Sequence, residues 1–515
     1  MRKSRCHLRF SSILLRSAFL LFLTAVCFSQ PAAAQSLMAG TGKKNITADS
    51  GEVHDSLYVK ALVIESQKIR IALITLDVVA IGTIGDIPDE FLMNVRKRVK
   101  NELKIDHVLV NASHNHLDGF LNGGKKIAED VEGRTIMAVK KALMNMEPVK
   151  AGAGKGFENR FAMNRRIKLK SGEVFTIRHA NPNMPDDEIA QVGEFDPEIG
   201  ILRIDRLDGT PKALVYNYAC HPYTGVPDKG VTAEFPGFAS GIIEEQLGHG
   251  AMAFFLQGAA GDITEVLYKD TNNPRDSEPF GQMLALSTLK ATRKITAVTT
   301  NHLSLISETV KLPLRTDIPD WLKRLEKAEA ELLDSLRFTN LNLKVFIPLY
   351  IQYNISPDYP SYYAYRYLQE EKTGLNGLKK MDEENQKDIG KYLSNIHVME
   401  KLAQIQVNKE MLKQKQDEIN EYGGKFVSAE IMGVRIGDFV IVTLPAEAFV
   451  QVGIKIKAES PYANTVFSGY TNGYLHYAPT ARSYHEGGYE IMNCILAPCW
   501  QKIYENKIHE IIGKL

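Results

Sequence analysis

The chain has 515 residues, 62 basic and 61 acidic side chains, a formal net charge of +1, and 44% hydrophobic against 24% charged residues. These globular proportions provide a sizeable core for one large or two ordinary domains and exclude disorder and collagen-like repeats. A charge so near balance gives no electrostatic basis for binding nucleic acid.

The first 34 residues differ from the rest. Arg2, Lys3, Arg5, Arg9 and Arg16 form a basic start, Ser17 to Phe28 is uncharged and apolar, and Pro31-Ala32-Ala33-Ala34 supplies small residues. The apolar run is too short to span a bilayer comfortably, so residues 1–34 read as a signal peptide cleaved after Ala34, and the protein is expected in the periplasm or outside the cell. The remainder holds 57 basic and 61 acidic side chains, a net of −4. It contains no uncharged apolar run of about 20 residues, so no later segment is expected to span a membrane. Cys220, Cys494 and Cys499 remain after the leader. Three is odd, so at least one is unpaired, and the spacing of Cys494 and Cys499 suits either a disulfide or two reduced thiols.

Leu57 to Glu65 and Ile69 to Val79 read as strands, Pro88 to Leu103 as a helix, and His107 to Ala112 as a buried strand. Ile201 to Arg206 and Ala213 to Ala219 flank an Asp208-Gly209 turn and form a hairpin. Ala253 to Leu256 is again strand-like. Residues 316–424 change texture: Trp321 to Arg337 and Gln386 to Tyr422 are charged and helical, and an aromatic segment with Phe346, Tyr350, Tyr353, Tyr359 and Tyr367 lies between them. This is a helical insertion over the core. A lid is one role for it, but ordinary packing accounts for most of its tyrosines. Lys425 to Glu447 returns to strand texture. The expected fold is therefore α/β, a mixed-sheet domain over 35–515 with a helical insertion at 316–424. Dinucleotide, P-loop, HExxH and GxSxG signatures are all missing.

Several expected strands end in residues that carry chemistry. Ser113-His114-Asn115-His116 follows directly on His107 to Ala112, and on an extended chain residues i and i+2 face one way, so both imidazoles point at one site. His221 follows the strand ending at Ala219, and Glu447 ends an apolar strand. Strand ends of open α/β sheets are where ligands bind. Two histidines and a carboxylate are a common ligand set for a catalytic zinc, which keeps a position open for water. Residues 257–264 (QGAAGDIT) offer close backbone approach, with Asp262 to orient a ligand and Thr264 to supply a hydroxyl. A structural turn capped by Asp262 fits the same residues.

This set of motifs resembles the neutral (non-lysosomal) ceramidase family, zinc amidases that hydrolyse N-acylsphingosine to sphingosine and fatty acid. GTGKKNIT at 40–47 resembles G-x-G-x-x-D-I-T, SHNH at 113–116 resembles S-H-T-H-S-G-P, and AAGDIT at 259–264 resembles N-A-G-D-V-S-P-N. CHPYTG at 220–225 resembles V-H-G-T-S, and the run from Gly469 to Glu490 is similar to the family's tyrosine-rich Y-x-N-x-Y segment. The resemblance implies one zinc per chain, held by His114, His221, Glu447 and Tyr477. It implies that His116 and Tyr489 contact the substrate carbonyl and its oxyanion, that Arg160, in the family's N-R-S position, holds the polar head, and that Thr264 takes the place of the active-site serine. The implied partner is an amide-bearing lipid or small molecule, with peripheral membrane contact and oligomeric state left open.

The chain departs from the pattern at Thr264-Glu265 and at Leu117-Asp118-Gly119. It also ends about 25 residues after Tyr489, where the family carries a C-terminal β-sandwich domain of ordinary domain size, so that domain is expected to be lacking. The expected reaction is amide hydrolysis by zinc-activated water. The alternatives are a hydrolase of the same fold acting on another amide or ester, and a binding protein with a non-catalytic metal.

Overall fold

The structure, a computed structural model, describes residues 37–49, 51–67, 69–116, 126–177, 186–265, 275–361 and 363–515. The proposed leader with its cleavage point, the segment Leu117-Asp118-Gly119 and Tyr362 lie outside these residues.

Eight strands build the larger sheet: β1 (Met38–Asn45), β2 (Tyr58–Ser66), β3 (Ile69–Leu76), β4 (His107–Ala112), β5 (Glu147–Phe157), β6 (Glu198–Arg206), β7 (Pro211–Tyr218) and β8 (Met252–Gln257). Their order is β8-β7-β6-β5-β1-β2-β3-β4. The pairings are antiparallel except at the two edges, where β3 runs parallel to β4 and β7 parallel to β8. A second sheet of β9 (Leu303–Pro313), β10 (Phe426–Ile436), β11 (Phe439–Thr443) and β12 (Asn464–Ser468) stacks on one face of the first.

Alternation along the strands produces the layers. In β2, Val59, Ala61 and Val63 join a core with helices α1 (Phe91–Leu103) and α2 (Val131–Met144), while Leu62 and Ile64 join one with Val434, Ile436 and Ile441 of the second sheet. Both faces are covered, so these strands read as nearly unbroken apolar runs. Helices α3 (Glu234–Leu247) and α4 (Glu278–Thr292) cover the β5–β8 half. Gly40 and Gly42 let α2 lie close on β1, since a Cβ at either would stand 2.0 or 2.1 Å from the carbonyl oxygen of Ala142 or Ala138.

Strands β9 and β10 pair along their whole length, from Leu303↔Ile436 to Pro313↔Phe426. Between them the chain forms α5 (Ile318–Ser335), α6 (Leu343–Ile355), α7 (Ala364–Thr373) and the 45-residue α8 (Gly377–Glu421). Val398, Ile405, Leu412 and Ile419 make a buried seam every seventh residue of α8, the period of helix pairs that supercoil. The aromatic segment packs within this arm: Phe346 stacks on Tyr392 with ring centroids 4.5 Å apart, and Tyr353 and Tyr367 donate to the two carboxylate oxygens of Asp382. Beyond β11, α9 (Val450–Glu459) and α10 (Trp500–Ile512) follow, and α10 buries Trp500, Tyr504, Ile508 and Ile511 against the outer face of the second sheet. No described helix is long and apolar enough to cross a membrane.

The disulfide considered for Cys494 and Cys499 is not formed. Cys494 is buried against the Tyr484 hydroxyl, whereas Cys499 sits exposed before α10, so the two thiols face different environments.

Asn111, fully buried in β4, joins both sheets: its Oδ1 accepts from Gln257 N of β8, and its Nδ2 donates to Gly469 O beyond β12. Replacing it with alanine strands the buried N–H of Gln257 and leaves Gly469 O with Thr471 Oγ1 as its remaining donor. Asn111→Ala is expected to lower the unfolding free energy by about 2–3 kcal/mol, measured by denaturant titration.

Candidate metal centre

The C-terminal ends of β4, β7 and β8 meet in one place. Ser113 N donates to Leu76 O and His114 N to Val78 O, which turns the chain inward just beyond β4. His114 reaches the site through a left-handed backbone (φ 66°), not along an extended strand. The two imidazoles do converge, with Nε2 atoms 3.1 Å apart, but a turn brings them together and not strand alternation. Just beyond β7, His221 Nε2 lies 3.0 Å from Glu447 Oε2, and His114 Nε2 lies 3.5 Å from the same oxygen. The ligand atoms of His114, His116 and His221 fall within 4.8 Å of one another.

Each buried imidazole has its outer nitrogen committed. His114 Nδ1 is 2.7 Å from Val79 O, and His221 Nδ1 is 2.5 Å from Ala260 O and 3.0 Å from Ile263 O. A carbonyl only accepts, so both Nδ1 atoms carry the proton and both Nε2 lone pairs face inward. His221 Nε2 is buried without a hydrogen-bond partner. Burial is the main reason the His114 imidazole is held down at about 4 and those of His116 and His221 below 6.5. Burial alone would push Glu447 up. The neighbouring His114 and His221, with the hydrogen bond from Tyr474, reverse this and hold it below the usual carboxylate range. Two inward lone pairs and a carboxylate repel one another unless a cation lies between them. The donor set, imidazoles braced by backbone carbonyls and one carboxylate, fits zinc.

Glu447 is held in turn by two phenols: Tyr474 Oη donates to Oε1 and Tyr470 Oη to Oε2. Tyr477 pairs with Glu447 in a short parallel bridge. Its hydroxyl accepts from Arg165 Nη2 at 3.0 Å, and Arg165 is fixed by Glu490 Oε1 and Gly261 O, each at 2.8 Å. The Tyr489 ring meets that of Tyr477 edge-on, centroids 5.6 Å apart. Thr264 bridges the backbone of His221, and its hydroxyl donates to Tyr223 Oη at 2.5 Å.

Two expected residues lie elsewhere. The Arg160 guanidinium is half exposed and bound to Glu158, Met283 O and Ser287, while the guanidinium at the centre belongs to Arg165. The dipeptide Asn-Arg occurs at both 159–160 and 164–165, and residue type alone does not separate the two. Asp262 accepts from Val450 N and from Asn164 Nδ2, each at 2.8 Å, which makes it a brace for the loop. Sequence reasoning also passed over Gln257. This fully buried amide donates to Ser113 O at 3.0 Å and Cys220 O at 2.8 Å, joining the two histidine loops. A polar residue closing the apolar strand MAFFLQ was the available signal.

No family model and no curated protein matches the chain. Among solved structures it is similar to neutral ceramidase from Pseudomonas aeruginosa: TM-score 0.58, 16% identity, covering 93% of this chain and 74% of that one. A ceramidase complexed with C2 gives TM-score 0.58, 15% identity, and coverage of 93% and 75%. The chain shares the neutral ceramidase fold.

Two outcomes follow. Gln257→Ala is expected to weaken zinc binding about 10- to 100-fold, as loss of a group supporting the ligands does, measured by competition with a chromogenic chelator. Acid should also destabilise the metal-free protein. Unfolded histidine takes up a proton near 6.5 and folded His114 only near 4. Stability from neutral His114 is therefore complete above about pH 6.5 and is lost as pH falls toward 4, about 3 kcal/mol in all. Urea unfolding across that range should show the loss, and His114→Gln should reduce the slope.

Proposed function

We propose that this chain is a zinc-dependent amide hydrolase acting on N-acyl lipids of the ceramide type, releasing a fatty acid and an amine. One observation carries the proposal: the Nε2 atoms of His114 and His221, with both Nδ1 atoms held by main-chain carbonyls, converge on Glu447 at the strand ends of a fold shared with ceramidase. His114, His221, Glu447 and Tyr477 would hold the metal. When bound, zinc supplies Lewis acidity, making water more acidic and polarising a carbonyl oxygen.

The surrounding residues divide the remaining work. His116 is neutral and lies on the partly exposed side of the cluster. It takes the proton lost by the attacking water and delivers it to the amine nitrogen as the C–N bond breaks, which balances the hydrolysis. Tyr489 presents a phenol beside Tyr477 toward the carbonyl oxygen. Arg165 orients Tyr477 through its hydroxyl. Asp262 acts only through the loop it braces. We also propose export of the protein, on the strength of residues 1–34 alone.

A second substrate class, smaller or more polar amides and esters, is favoured by Tyr223 with Thr264 beside the histidines. Purified protein should contain about one zinc per chain and cleave N-acylsphingosine, and chelator should abolish the cleavage. His114→Ala and Glu447→Gln should each remove both zinc and turnover. A panel of N-acyl lipids, short amides and aryl esters separates the substrate classes. Stoichiometric zinc with no turnover on any of them would make the site a non-catalytic one.

A further inference from the structure

We propose that Tyr223 is a catalytic residue of this centre, a phenol that donates a hydrogen bond to the scissile carbonyl oxygen as it becomes an oxyanion. The inference rests on the hydrolase reading above and adds to it a residue on which that mechanism does not draw.

Tyr223 comes two residues after His221, and its ring lies edge-on to two of the cluster's three imidazoles, centroids 6.0 Å from His116 and 6.1 Å from His221. Thr264 forms a backbone bridge with His221, and Thr264 Oγ1 is 2.5 Å from Tyr223 Oη. Thr264 is fully buried, whereas Tyr223 and the neighbouring His116 are each partly exposed. Because the Thr264 hydroxyl donates to Tyr223 Oη, the phenol keeps its own proton for another acceptor. The main chain on either side is fixed as well: the fully buried Glu265 accepts from Tyr223 N at 3.3 Å and from Thr224 Oγ1 at 2.6 Å. A donor anchored at its backbone and its oxygen, beside His116 and His221, is the preorganised arrangement that stabilises a developing negative charge. No proton is transferred to or from the phenol in this role.

The test compares Tyr223→Phe, Thr264→Val and Thr264→Ser with the wild type, in the zinc-loaded full chain. Phenylalanine keeps the ring against His116 and His221 and removes only the donor. Tyr223→Phe should lower kcat about 10²- to 10³-fold, with KM within threefold and zinc content unchanged. Affinity for a phosphonate analogue of the tetrahedral state, measured by calorimetry, should fall by a similar factor. Thr264→Val, which leaves the phenol unaligned, should cost about tenfold in kcat, and Thr264→Ser should restore it. A Tyr223→Phe enzyme with wild-type kcat overturns the proposal. So does a change confined to KM, which would make Tyr223 a wall of the substrate pocket, or a loss of zinc, which would make it structural. If the wild type turns over none of the panel, the hydrolase reading falls and this role with it. An active wild type matched by Tyr223→Phe removes the role of Tyr223 alone.

Discussion

Two buried imidazoles that each donate Nδ1–H to a main-chain carbonyl determine the character of this molecule. Once Val79 O holds His114 and the carbonyls of Ala260 and Ile263 hold His221, neither ring can turn its lone pair away from Glu447. Burial keeps both rings neutral, and the carboxylate they face stays ionised. Three electron-rich atoms are thus held within contact of one another, a geometry that a divalent cation relieves. The surrounding phenols follow the same logic, since Tyr470 and Tyr474 donate to Glu447 and satisfy oxygen lone pairs that would otherwise be buried without a partner.

Holding those atoms in place requires segments separated by hundreds of residues, and the parallel strand pairs at both edges of the larger sheet deliver them. Strand β4 brings His114 and β7 brings His221, and Gln257 at the end of β8 donates to a carbonyl on each loop. Glu447 arrives from the second sheet by close backbone approach. A Cβ at Gly261 would stand 2.4 Å from Glu447 O, so only glycine lets the loop after β8 lie against the strand bearing the carboxylate. The small residues of 258–261 therefore serve as a packing surface for the strand that carries Glu447, and Asp262 next to them fixes the start of α9 through Val450 N.

Strands such as His107–Ala112 could be read from the sequence because burial on both faces leaves an unbroken apolar run, which composition reveals directly. The positions of His114, His221 and Glu447 were legible for a related reason: each is a polar residue immediately beyond such a run. Arg165 was not legible. Its role depends on which of two Asn-Arg pairs faces Tyr477, and that is decided by the pairing of residues 162–164 with 263–265, a contact made across about a hundred residues. Tyr223 was hidden for the same reason, since only the bridge between His221 and Thr264 places its hydroxyl. The left-handed turn at His114 leaves little mark in residue type, because histidine, though enriched at positive φ, far more often adopts ordinary backbone angles.

The helical arm shows how an insertion can be tied to the site without lining it. Near the C-terminal end of α8, Lys415 and Glu418 contact the ring of the buried His476, the residue before Tyr477. The aromatic cluster centres on Tyr392, 23 residues earlier on the same helix, or about 35 Å of helix length. In that cluster, far along α8 from the Tyr477 strand, Tyr353 and Tyr367 donate to Asp382 and Phe346 stacks on Tyr392, so packing within the arm accounts for these residues. The outer face of α6 is a different matter: Ile347, Ile351 and Ile355 are exposed, and only Phe346 of that helix is buried. Its apolar surface belongs to the far end of the arm and not to the chemistry at the strand ends. The candidate centre is thus built on the two stacked sheets, and the arm braces it at His476 and packs Leu412 and Ile419 into the core that holds Tyr477.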